Sequence, residues 1–260
     1  MLKIFCRFDA IAAICALILS ACGGSSYSSS SSSIPPSGGN AQVRFVDGAP
    51  SLETIIGSTP QPICSNDVSA PCYLQVNGQA VTQLFYYGSI TNFMPLSAGV
   101  HSMSARDTAG YAVGPLKTAA LVAGHTYTLV VVGSYPSYEV LTFEEPKGSG
   151  NAALSLYEAS PAVPDIDFGR FDASSQSDFE KLGAAHLGNV VTVNLGTRVT
   201  NLGGYAGHGT TPLTNGTLTV AQINSFDTNN ALPFNNAGRL SLFFFDVNGT
   251  KGPVFGSLDP

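Results

Sequence analysis

Two stretches of this 260-residue chain repeat one pattern, and that repetition limits the fold more than any other feature. Ala41 to Pro50 reads Ala-Gln-Val-Arg-Phe-Val-Asp-Gly-Ala-Pro, and Ala152 to Pro161 reads Ala-Ala-Leu-Ser-Leu-Tyr-Glu-Ala-Ser-Pro. Each is a strand-like run followed by an acid, small residues and a proline, and the spacing is 111 residues. The far ends repeat too. Gly124 leads into Tyr127-Thr-Leu-Val-Val-Val132, with a close at Glu145-Pro146, and Gly238 leads into Leu240-Ser-Leu-Phe-Phe-Phe245, with a close at Asp259-Pro260. Here the spacing is 114. Matching beginnings and ends at nearly one period imply duplication of a single unit. Lys147-Gly-Ser-Gly150 is a short flexible link, which places the units at 41–147 and 148–260.

Inside the first unit, short β-branched and aromatic runs alternate with Gly, Pro and Asn. The runs are Val43 to Val46, Tyr73 to Val76, Leu84 to Tyr87, Val100 to Ala105, Thr126 to Val132 and Tyr138 to Phe143. Such spacing predicts antiparallel sheets facing each other. Leu129 to Val132 has no polar face and reads as a central strand. Phe243, Phe244 and Phe245 send bulk to both sides of a sheet, so one side meets the facing sheet and the other meets loops, the sister unit or another molecule. Ser177-Asp-Phe-Glu180 matches a capping box, with Gly183 as the stop of one helical turn. Asp246-Val-Asn-Gly249 reads as a hairpin turn, and Asn215-Gly-Thr-Leu-Thr-Val220 reads as the second unit's version of Ala98 to Met103. The expected fold class is all-β: two tandem immunoglobulin-like antiparallel β-sandwich domains.

With 44% apolar and 11% charged residues the chain is neither disordered nor a coiled coil. A net charge of −6 leaves no basic surface able to neutralise a phosphate backbone, so nucleic acid is not an expected partner.

The first residues read as an address. Lys3 and Arg7 outnumber Asp9, the apolar run Ala10 to Leu19 follows, and small residues lead to Cys22. The run is too short to span a bilayer. Leu19-Ser-Ala-Cys22 resembles a bacterial lipobox, in which cleavage before the cysteine leaves its thiol to carry a diacylglycerol. The alternative is an ordinary signal peptide cut nearby. The lipobox reading gives a leader at 1–21, lipidation at Cys22 and attachment to a membrane through acyl chains. Gly23 after the cysteine favours the outer membrane, with the protein facing the periplasm or the cell surface. Residues 22–40 are a Ser/Gly-rich tether with almost nothing to bury, reaching roughly 20–25 Å as a flexible coil.

Val43-Arg-Phe-Val-Asp-Gly-Ala-Pro50 and Glu158-Ala-Ser-Pro-Ala-Val-Pro-Asp-Ile-Asp-Phe168 resemble the opening of the family called domain of unknown function 4397. Leu96-Ser-Ala-Gly99 and Leu121-Val-Ala-Gly124 resemble its turn-and-strand phrases. The resemblance implies a β-sandwich domain, often in tandem, in exported bacterial proteins without an assigned activity. Asp47 stands where the family tends to have His, and Ser51 and Ala162 stand where it has an acid.

The residues that carry chemistry are few. Cys64 and Cys72, delivered to an oxidising compartment, are expected to form a disulfide; their spacing is not that of a redox motif. His101, His125, His186 and His208 show no zinc-ligand spacing, and no nucleophile elbow, metalloprotease helix or phosphate loop is present. His208 lies in a glycine-rich stretch that offers little to fix a catalytic geometry. Asp165 and Asp167, with Asp172, Asp178 and Glu180 behind them, offer oxygen ligands suited to calcium, or a solvated acidic loop. Tyr86, Tyr87, Tyr135 and Tyr138 offer rings for stacking on a sugar, or packing within a sheet. No cofactor is expected beyond that calcium. The leading functional expectation is a noncatalytic envelope protein with a structural, adhesion-like or ligand-binding role, its partner a glycan or a protein. The alternative is an envelope hydrolase whose site assembles from distant Ser, His and Asp residues. The oligomeric state is not legible.

Overall fold

Period-two runs of Val, Ile, Leu and aromatic residues produce strands and no helix among the residues described by the computed structural model. These are 38–64, 69–146, 153–162, 165–171, 179–194, 201–206, 211–212, 218–219, 239–247 and 250–259. The residues expected to form a leader and a tether, up to residue 37 and with Cys22 among them, the expected link at 147–150 and His208 lie outside them. In chain order the first half contains β1 (Asn40–Asp47), β2 (Glu53–Ile56), β3 (Thr59–Pro62), β4 (Cys72–Val76), β5 (Gln79–Phe85), β6 (Met94–Ser97), β7 (Ser102–Arg106), β8 (Ala112–Lys117), β9 (Thr126–Ser134) and β10 (Ser137–Glu144). The second half contains β11 (Ala153–Glu158), β12 (Asp165–Phe171), β13 (Phe179–His186), β14 (Val190–Asn194), β15 (Asn201–Ala206), β16 (Thr211–Pro212), β17 (Leu218–Thr219), β18 (Arg239–Val247) and β19 (Thr250–Asp259).

The two halves use the same strand order. Sheet β10-β9-β1-β6 has its counterpart in β19-β18-β11-β14, and β5-β4-β7-β8 has its counterpart in β13-β12-β15-β16. One expectation is corrected here. The sheets are not wholly antiparallel, because β1 runs parallel to β9 and β11 runs parallel to β18. In each half the first strand lies between two later ones, and the chain passes through the second sheet before returning. That excursion is long enough to permit parallel pairing.

The four-stranded sheet of the first half is buried on both faces. Val43, Phe45, Leu129 and Val131 pack with Leu74, Val76, Met103, Ala105 and Val113 from the second sheet in one core. Alternation along a strand sends Val46, Val130 and Val132 to the opposite face. There they share a core with Tyr157, Ala159, Phe243 and Phe245 of the second half. Phe244, between two rings committed to that core, is also buried, so all three phenylalanines are covered and the sister half covers two of them. The approach is close at Gly48, where an added Cβ would lie 2.7 Å from Phe245 Cδ1.

Between Pro50 and Cys72 the first half carries an extra segment, the β2–β3 hairpin and the loop closed by a Cys64–Cys72 disulfide with Cα atoms 5.3 Å apart. The second half passes from Pro161 to β12 with no such addition. The helical turn expected at 177–183 is not formed. Residues 177 and 178 lie outside the described set, and Gly183 sits within β13, opposite Phe168 of β12. Sheet pairing overrides the local capping signal. Leu218 and Thr219, expected to replace part of the first half's β7 region, instead pair with β15, which itself occupies the place of β7. The hairpin expected at Asn248-Gly249 is bracketed by Val247 opposite Thr250.

Because Phe245 is fully enclosed by groups of both halves, Phe245→Ala should lower the unfolding free energy by about 3–5 kcal/mol in urea titrations. Val100→Ala, at a side chain 58% exposed, should change it by no more than about 0.5 kcal/mol.

Candidate functional site

The densest polar chemistry among the described residues sits between the two halves. Arg44 is on β1, one residue out of step with Val43 and Phe45, so its side chain leaves the first core and enters the space facing the sister half. It is 1% exposed. Its Nε donates to Thr128 Oγ1 at 2.7 Å, and one Nη donates to Ser241 Oγ at 2.9 Å, Tyr157 OH at 3.1 Å and Glu145 Oε1 at 3.3 Å. Three rings surround the guanidinium: its carbon lies 4.7 Å from the Phe93 centroid, 5.3 Å from that of Phe243 and 5.6 Å from that of Tyr157. Thr128 also donates to Glu145 Oε1, and Tyr157 donates to Glu145 Oε2 at 2.6 Å. Burial pushes the Tyr157 hydroxyl well above the ordinary tyrosine range, and the neighbouring Glu145 charge adds to it, so the phenol keeps the proton it donates. A network this enclosed satisfies its own charges and leaves no face for a substrate.

At the end of β1, Asp47 is fully buried and its Oδ1 accepts from Ala49 N–H at 3.0 Å. Burial pushes its carboxyl up to about 8, and the bond from Ala49 only partly opposes this. Glu158, at the end of β11, repeats the arrangement, with Oε1 accepting from Ser160 N–H at 2.9 Å. The backbone around both acids matches as well. Asp47 O and Glu158 O accept from Gly88 and Gly188, while Asp47 N–H and Glu158 N–H donate to Ser89 and Asn189. Both glycines adopt positive φ, 83° and 81°. Tyr86-Tyr-Gly-Ser89 and His186-Leu-Gly-Asn189 are thus one turn made twice. Sequence reasoning missed it, although a glycine at the third of four positions in both was the available signal.

The candidate metal ligands are already paired with side chains of β13. Asp165 pairs with His186 across β12 and β13, and Asp167 Oδ1 lies 2.7 Å from Lys181 Nζ. Among the described residues no group of three His, Cys, Asp or Glu side chains is placed to hold a metal ion. Asp172 and Asp178 lie outside the described residues; Glu180 is on β13. His125 pairs with Glu144 at 2.7 Å. His101 is buried. Its Nδ1 receives the Asn77 amide at 2.9 Å, which places the proton on Nε2, the donor to Ser97 O at 2.7 Å.

The four candidate tyrosines all lie towards the end of the first sheet that carries the Asp47 turn, and two are engaged in packing there. Tyr87 packs against Phe245, with ring centroids 6.1 Å apart. Tyr138 joins the first core while its hydroxyl donates to Ser51 O at 2.8 Å and accepts from Glu53 N–H at 2.9 Å. Tyr86 and Tyr135 are half-buried in turns. Two of the clefts among the described residues lie beside these turns and the added loop. One, of about 410 Å³, runs between the proline turns at Pro50 and Pro161 and the β9–β10 hairpin. The larger, of about 660 Å³, lies beside the disulfide loop.

Removing one member of the enclosed pair leaves the other charge buried. Arg44→Met should therefore cost about 3–5 kcal/mol, and adding Glu145→Gln to it should recover part of that loss in a double-mutant cycle read by urea unfolding. Asp47 generates a pH dependence. Its carboxyl ionises near 3.8 when unfolded and near 8 when folded, so between those values the unfolded chain binds fewer protons and stability falls as pH rises. From about pH 5 to about pH 8 the parent should lose more unfolding free energy than Asp47→Asn.

Residues 67–169 match the family described as Domain of unknown function (DUF4397). That stretch runs from just before β4 through most of β12, so it takes in strands of both halves, and the family description assigns no activity. No curated protein matches the chain.

Proposed function

We propose that the chain is a lipid-anchored, noncatalytic protein of the bacterial cell envelope with a structural, adhesion-like or ligand-binding role towards a glycan or another protein. In this reading a leader at 1–21 is removed, Cys22 is acylated, and residues 22–40 tether two immunoglobulin-like β-sandwich units, 41–147 and 148–260, at the outer membrane. The observation that carries the noncatalytic part is the enclosure of Arg44, Glu145, Tyr157 and Asp47, which spends the strongest polar groups on joining and closing sheets. The shared strand order and the matched acid turns support the duplication. The Cys64–Cys72 disulfide supports an oxidising compartment. The reading needs no cofactor, and calcium at Asp165 and Asp167 would have to displace His186 and Lys181.

One observation favours a competing reading. His186 and Asp165 form an exposed pair of the kind a hydrolase uses to activate a nucleophile. A screen on esters, glycans and peptides separates the two: the noncatalytic reading expects no turnover, and turnover abolished by His186→Ala would replace it with the hydrolase. For the anchor, radiolabelled palmitate should enter the parent and not Cys22→Ala, and the variant should move from the membrane to the soluble fraction. An unlabelled parent, or a variant that stays on the membrane, would remove the anchor from the account.

A further inference from the structure

We propose that the cleft beside the Cys64–Cys72 disulfide binds an oligosaccharide without anionic groups, gripped by Tyr73, Gln83, Leu84 and Asp107. This deepens the binding role above and rests on it. The cleft exists only because of the segment that the first half adds between Pro50 and Cys72. Ile63 and Pro71 from that segment form one wall, β4 and β5 supply Tyr73, Gln83 and Leu84, and Asp107 after β7 closes the far side. Among the described residues the second half has no equivalent segment, so the proposal is one such site per chain.

The walls are held firmly. The disulfide fixes one end of the added segment to buried Cys72. Tyr138 of β10 ties Ser51 and Glu53 at the other end, and Ile63 N–H donates to Leu52 O at 2.8 Å across the base. A preformed cleft of about 660 Å³ falls within the volume of small-ligand sites, roughly 300–1,000 Å³.

Strand geometry indicates what the cleft holds. β5 is an edge strand without charge or proline, which ordinarily invites an added peptide strand. Its register against β4 slips between Cys72–Phe85 and Leu74–Thr82, leaving Gln83 and Leu84 together opposite the single residue Tyr73. A bulge of this kind turns the edge away from main-chain pairing and re-aims side chains, here into the cleft, with Leu84 57% exposed. The grip is therefore through side chains. Among the described residues that line the cleft there is no lysine or arginine and the carboxylate is Asp107, so phosphate, sulfate and uronate groups meet no cation there and an opposing charge. Asp107 Oδ1 accepts from Tyr111 N–H at 2.8 Å, which orients the carboxylate and leaves its second oxygen for a hydroxyl or an amino group. An aromatic ring and aliphatic side chains beside an amide and a carboxylate complement a sugar ring, whose faces carry C–H groups and whose rim carries hydroxyls.

The test uses the detergent-solubilised full chain on an array of neutral, amino-bearing and anionic oligosaccharides, followed by calorimetric titration with the tightest neutral or amino-bearing hit. The expected result is one site per chain, with affinity reduced about threefold to tenfold in each of Gln83→Ala and Leu84→Ala. Both variants should unfold at the parent's urea midpoint. Absence of any neutral or amino-bearing hit, preference for anionic sugars, two sites per chain, or unchanged affinity in both variants would overturn the site. Such a failure leaves the noncatalytic reading to its own turnover screen. Cleavage of a bound sugar with the same loss in both variants would keep the site and overturn the noncatalytic reading.

Discussion

The structure depends on a sheet face that neither half can leave in water. Strands β1 and β9 bury side chains on both sides, and only one side is covered within the first half. The other side is closed by β11 and β18, whose Tyr157, Phe243 and Phe245 supply rings that Val46, Val130 and Val132 pack against. Burial of this kind is stabilising in proportion to area and tolerates a charge only when every polar atom is satisfied. Arg44 meets that condition with partners from both halves. Ser155 takes the matching position on β11. It lies opposite Ser241 in the β11–β18 pairing and bonds Thr192 at 2.8 Å, so a second arginine there would bring like charge towards the first inside a desolvated space.

That arrangement separates what holds the protein together from what it can present. The interior consumes Arg44, Glu145, Tyr157 and Asp47, and the matched acid turns fix the chain where β1 and β11 end. One variation between the halves falls elsewhere, in the disulfide-closed segment of the first. An added segment pinned at both ends by a disulfide and by Tyr138 can shape a cleft without disturbing the sheets beneath it. Loops placed by a rigid scaffold are where recognition ordinarily resides.

Much of the framework was legible in the sequence. Leu129 to Val132 announced a strand buried on both faces, and Phe243 to Phe245 announced a sheet that needs cover on two sides. Cys64 and Cys72 announced their bond. What escaped was non-local. Side-chain alternation encodes which face a residue takes and not the direction of its neighbour, so the parallel β1–β9 pair was invisible. The partners of Arg44 lie 84 to 197 residues away. The repeated turn at Ser89 and Asn189 was hidden by arithmetic. The extra segment shortens its spacing to 100, and a longer stretch after β14 restores the period by the last strands. Ser177 to Glu180 misled because a capping signal is local, whereas β13 is fixed by its pairing with β12.

The central claim is that both halves share one core and unfold together. Differential scanning calorimetry of the full chain measures this directly. The account predicts a single transition whose calorimetric and van 't Hoff enthalpies agree. Two separated transitions, each fitting half of the chain, would contradict it.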